Sequence, residues 1–126
     1  MKRILILITL IAMALCAYAK DPKLNVEKLF DGRFRGAKDV SLRIIKDKVN
    51  YFRSLDMPSK LPSAKEVRDA FAKDVERSNS SSYSESNGEY RHIIVVKYNG
   101  KDVSVCLCEE DGDLSIFISG PMSAFE

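Results

Sequence analysis

Between residues 91 and 119 the sequence repeats one pattern: a run rich in Ile and Val, a turn dipeptide, and another such run. The dipeptides are Asn99-Gly100 and Asp111-Gly112. Both tolerate positive φ at successive positions, the backbone that reverses a chain within two residues. Strands are therefore expected over 91–98, 102–109 and 114–119, paired as an antiparallel meander. Gly120-Pro121 should stop the last of them. Side chains alternate along a strand, so Val103, Val105 and Leu107 share one face, and so do Leu114, Ile116 and Ile118. These are the expected core faces.

Upstream, Val40-Ser41-Leu42-Arg43-Ile44 alternates with period two and reads as a half-buried strand. Lys46-Asp47-Lys48 is polar enough for a hairpin turn, and 49–55 reads as the partner strand. Pro58 and Pro62 should break regular structure. Ser63-Ala64-Lys65-Glu66 has the form of a capping box. Behind it Val67, Ala70, Phe71 and Val75 make one apolar helical stripe, ending near Arg77. A shorter helix over 26–30, capped by Asn25 and closed by Gly32, precedes the first strand. Residues 78–89 hold six serines, two asparagines and a glycine, so a mobile loop is expected between helix and sheet. The expected fold is α+β: an antiparallel sheet of about five strands with the main helix on one face. An N-terminal hairpin and the C-terminal meander would supply the strands.

The N-terminus begins Met1-Lys2-Arg3, continues through an apolar run over 4–15 and reaches Ala17-Tyr18-Ala19. A basic head, an apolar run and an A-x-A site make a secretory signal, expected to be cleaved between Ala19 and Lys20. The run is shorter than the roughly 20 residues a spanning helix needs. Cys16 raises the alternative of a lipoprotein tethered to a membrane, but Leu15 stands where lipid attachment normally wants a small residue. Cleavage of 1–19 would leave a single domain over 20–126, periplasmic or secreted, enough chain for one modest core.

Removing Lys2 and Arg3 brings the basic count from 20 to 18, equal to the 18 acids. A nucleic-acid partner wants a basic excess, so none is expected. The charges are unevenly spread. Residues 20–77 carry 15 bases and 10 acids, whereas 78–126 carry 3 bases and 8 acids. The two halves should attract each other in the fold.

Cys106 and Cys108 point to one side of a strand, with α-carbons about 6.5–6.8 Å apart and diverging β-carbons, so they should not form a disulfide. Zinc would want two more ligands, and the sole histidine is His92. Phe117 falls on the same second sheet face as the two thiols. Left uncovered, that face is a small apolar docking site. Arg33, Arg35 and Lys38 form a basic cluster beside Phe34, a candidate for an anionic glycan or lipid headgroup. Glu109, Glu110, Asp111 and Asp113 surround a hairpin tip without EF-hand spacing and read as a solvated turn. There is no nucleophile elbow, dinucleotide fingerprint or P-loop. No catalytic residue, cofactor or metal is expected. The reading is an exported, non-enzymatic binding or accessory module of the cell envelope, its partner an envelope protein or a small ligand. The alternative is a thiol-active or metal-binding protein using Cys106 and Cys108.

The signal segment is followed by Leu24-Asn25-Val26, Phe30-Asp31-Gly32-Arg33, Phe52-Arg53-Ser54-Leu55 and a helix over 67–75 containing Asp74. In this order the features resemble a family of small exported proteins of unknown function from anaerobic gut bacteria. The resemblance implies export and an envelope setting. It implies no activity and transfers no catalytic residue.

Overall fold

The computed structural model describes residues 21–126, so the expected signal segment and Cys16 lie outside the described residues. A short helix α1 (Asn25–Lys28) widens into a π-helical turn, Leu29–Arg33. The hairpin β1 (Ser41–Lys46) and β2 (Asn50–Pro58) follows, then the main helix α2 (Ala64–Glu76). Four consecutive strands come next: β3 (Ser80–Ser86), β4 (Glu89–Tyr98), β5 (Lys101–Glu110) and β6 (Asp113–Pro121). A 3-10 turn, Met122–Ala124, follows. The fold is α+β with one six-stranded sheet in the order β1-β2-β6-β5-β4-β3. Every neighbouring pair is antiparallel.

The meander forms where the alternation places it, and so does the N-terminal hairpin, but its first strand begins at Ser41 and is exposed rather than half-buried, only Leu42 being partly covered, because it is the sheet's edge. β2 joins hairpin and meander by pairing with β6, Leu55 opposite Ile116. The sixth strand corrects the expectation of a mobile loop over 78–89. Residues 80–86 are β3, with Ser82 opposite Ile93 and Ser84 opposite Arg91. Its turn is Asn87-Gly88 with φ of 52° and 80°, nearly the geometry of Asn99-Gly100 at 51° and 80°. An edge strand is held by backbone hydrogen bonds to one neighbour, so it does not need apolar side chains to form. Tyr83 adds edge-on ring contacts to Tyr90 at 5.0 Å and His92 at 5.9 Å.

Both helices pack on one face. Val103, Val105, Leu107, Leu114, Ile116 and Ile118 are all buried there, with Val67, Ala70 and Phe71 of α2 in the same cluster. Leu24, Val26, Phe30 and Phe34 extend that core beneath α1 and the π turn. Val75 is only half-buried, at the margin of the helical stripe.

Neither expected helix cap forms. Ser63 precedes α2 with no side-chain cap bond, and Glu66 instead pairs with Arg33 at 2.8 Å. The first residue of α1 is Asn25 itself. Its free amides are capped from a distance by Asp74 of α2. Oδ1 accepts from Asn25 N at 2.8 Å and Asn25 Nδ2 at 2.9 Å, and Oδ2 accepts from Val26 N at 3.0 Å. Asp74 is fully buried. A four-residue helix cannot hold itself in water; this carboxylate ties α1 to α2 alongside the buried Leu24, Val26 and Phe30.

Candidate binding face

The second sheet face has no covering element among the described residues, because α1, the π turn and α2 all lie on the other side. The register lays out its side chains in rows across the strands. One row runs Arg43, Ser54, Phe117, Cys106, Ile93 and Ser82 from β1 to β3. The adjacent row runs Ile45, Phe52, Ser119, Ser104, Val95 and Ser80. The apolar band thus comprises Ile45, Phe52, Phe117, Cys106, Ile93 and Val95, flanked by serines and, on β1, by Arg43. Ile45 is 58% exposed and Ile93 39%. Phe52 and Phe117 lie 6.0 Å apart with stacked rings, and both are half-buried by their neighbours in the sheet.

Beside Phe117 the face dips into an open depression of about 860 Å³. Lys38 and Arg91 line it against Asp39, Asp56, Glu110, Asp111 and Asp113, two cations against five carboxylates. The apolar band therefore has an acidic margin. Asp56 accepts a hydrogen bond from Ser115 Oγ across β2 and β6. Glu109 does not belong to this margin: it turns to the helical side and pairs with Arg68 of α2.

The structure brings together Cys106, Cys108 and Phe117, with Cys106 directly opposite Phe117. Both cysteines are free thiols and half-buried. Burial, followed by the neighbouring Cys108, pushes the Cys106 thiol up, and Arg91 opposes the shift. The thiolate is the reactive form. Iodoacetamide should therefore label Cys106 more slowly in the native protein than after unfolding in urea. Quantitative mass spectrometry measures this, and faster native labelling would mark an activated thiol.

Arg33, Arg35 and Lys38 are not gathered into one pocket. Arg33 is held by Glu66 and lies over the Phe34 ring at 5.1 Å. Arg35 is exposed, and only Lys38 of the three lines the acidic depression.

Ligand atoms of Glu89, Cys108 and Glu110 come within 4.8 Å of one another. Arg91 stands among them, 3.5 Å from Glu89, and Cys108 is the main influence raising its pKa. A guanidinium in this position already supplies the positive charge that the carboxylates attract. His92 lies under the helical face, edge-on to Phe71 at 5.1 Å, with Nε2 against Ser81 Oγ. Its Nδ1 faces the Tyr90 hydroxyl at 3.5 Å rather than a carboxylate. A hydrolase dyad needs an orienting group there, so the contact reads as packing.

Comparison with protein-family models and with curated proteins finds no match for the chain. The functional reading rests on the open face itself.

Proposed function

We propose that the chain is an exported, non-catalytic binding module of the bacterial cell envelope. Its open sheet face receives a protein segment whose apolar residues are flanked by basic ones. The observation that carries this reading is a band of Ile45, Phe52, Phe117, Ile93 and Val95 that no described element covers, bordered by five carboxylates. Burying that band provides affinity in proportion to its apolar area. The acidic margin favours a cationic partner and rejects an acidic one. Export is supported by the basic head, the apolar run and the Ala17-Tyr18-Ala19 site, and the family resemblance points to the same setting. The thiol-active alternative is the weaker reading, because the environment of Cys106 disfavours its thiolate.

A short peptide alternating Leu and Lys is a suitable probe, with a Leu–Glu peptide as its counterpart. In an NMR titration the Lys peptide should shift the amides of β5 and β6 saturably, and added salt should weaken it. Phe117→Ser and Asp113→Asn should each reduce affinity by roughly tenfold, the loss of one good contact. Equal binding of the acidic peptide, or shifts confined to the helical side, would overturn the reading.

A further inference from the structure

Among the described residues, the one buried side-chain polar atom without a hydrogen-bond partner is Oε1 of Glu27. Glu27 is only 5% exposed. It lines a separate pocket of about 260 Å³, whose walls include Tyr51, Arg53, Tyr98 and Phe125. This pocket is on the helical side of the sheet, away from the open face. Phe125 stacks on Tyr51 at 3.9 Å between centroids and lies 5.5 Å from Tyr98.

The charges around Glu27 do not neutralise it. Lys23 and Arg53 both pair with Asp31, each at 2.9 Å, and Arg53 also lies over the Phe30 ring at 4.9 Å. No ion-pair partner of Glu27 exists among the described residues. Asp21 and Asp31 line the same pocket and offset its two bases, Lys23 and Arg53, so among the described residues Glu27 is left without a compensating cation. Burial pushes Glu27 above the usual carboxylate range and Asp31 adds to the shift, while the Tyr98 hydroxyl, the Leu24 amide and Lys23 oppose it. Burial and the neighbouring Glu27 likewise hold the Tyr98 phenol well above its ordinary range. A buried carboxylate with no paired cation is costly to ionise, and an incoming cation would offset that cost.

We propose that this pocket binds a small organic ammonium, with its charged head at Glu27 and its carbon skeleton against Tyr51, Tyr98 and Phe125. The acidic lining disfavours an anion. A metal ion would want several converging ligands, and the one converging group of acids and thiols among the described residues lies elsewhere, at Glu89, Cys108 and Glu110. An ammonium needs one carboxylate and gains from aromatic faces. The pocket's volume of about 260 Å³ suits a ligand of a few carbon atoms.

The test is an NMR titration of the protein with n-butylammonium in phosphate buffer, using n-butanol as the uncharged control. Butylammonium should produce saturable shifts at Glu27, Tyr51, Asn99 and Phe125, and butanol should not. Glu27→Gln keeps the size and loses the charge, and should weaken binding at least tenfold. Phe125→Leu removes one aromatic wall and should weaken binding severalfold; it remains informative if Glu27→Gln fails to fold. Absence of saturable shifts, equal shifts from butanol, or unchanged affinity in either folded variant would overturn the proposal. Neither outcome bears on the open face, which the Leu–Lys peptide probes independently.

Discussion

Asp74→Ala should lower the unfolding free energy by roughly 3 kcal/mol or more, since hydrogen bonds to a charged group contribute about 1.5–3 kcal/mol each and are not additive. Three donors lose their acceptor in this variant: the amides of Asn25 and Val26 and the Asn25 side chain. Asp74 is fully buried and Val26 has no exposed surface, so water cannot readily replace the carboxylate. A domain of this size has about 5–15 kcal/mol of stability in total, so the variant should unfold at a much lower urea concentration. Asp74→Asn retains one acceptor oxygen and should cost about half as much. In both variants the amides of Asn25 and Val26 should exchange with solvent faster than those of β5. A loss below about 1 kcal/mol, the size of an ordinary surface cap, would mean that α1 is held by its apolar side chains instead.

The second large effect contrasts two adjacent residues of β6. Ile116 is 1% exposed and faces the helices, while Phe117 faces the open side and is half-buried. Ile116→Ala should cost about 2–5 kcal/mol, the lost transfer energy plus the cavity left behind. Phe117→Ala should cost about 1 kcal/mol, because no described element covers it and its one aromatic contact among the described residues is Phe52 at 6.0 Å. Urea midpoints of the two variants, measured at several protein concentrations, test this. Equal losses would show that the second face is buried in solution, against another copy if the loss at Phe117 depends on concentration. Unequal losses keep the band free for a partner.

How far the sequence could be read depends on which interaction sets each feature. The meander was legible because Asn99-Gly100 and Asp111-Gly112 are local signals and the alternation around them has one reading. The Asn87-Gly88 pair carried the same signal. It was outweighed by the serines, whose composition describes side-chain burial and says nothing about backbone pairing to β4. The caps failed for a different reason. Ser63 and Glu66 have the right spacing, but Glu66 is drawn to Arg33, more than thirty residues earlier in the chain. Asp74 adjoins the apolar stripe of α2 with no local sequence signal of burial, yet it lies fully buried under α1. Glu27 sits between Val26 and Phe30, on the flank of a buried stripe, and that spacing was the only available sign that it faces inward.

What the sequence determined by itself was periodicity and turn chemistry: the α+β class, the main helix, the N-terminal hairpin, the meander, and the sharing of one strand face by Cys106 and Cys108. These depend on residues within a few positions of one another, where backbone geometry leaves few choices. The tertiary structure alone decided that β2 pairs with β6 and that β3 closes the far edge. It also placed Asp74 over the end of α1, enclosed Glu27 and left the Phe52–Phe117 face without cover from any described element. Each of these joins or separates groups far apart in the chain. Such contacts are set by which surfaces the whole fold can bury together, and one helical layer of this length covers only one side of a six-stranded sheet.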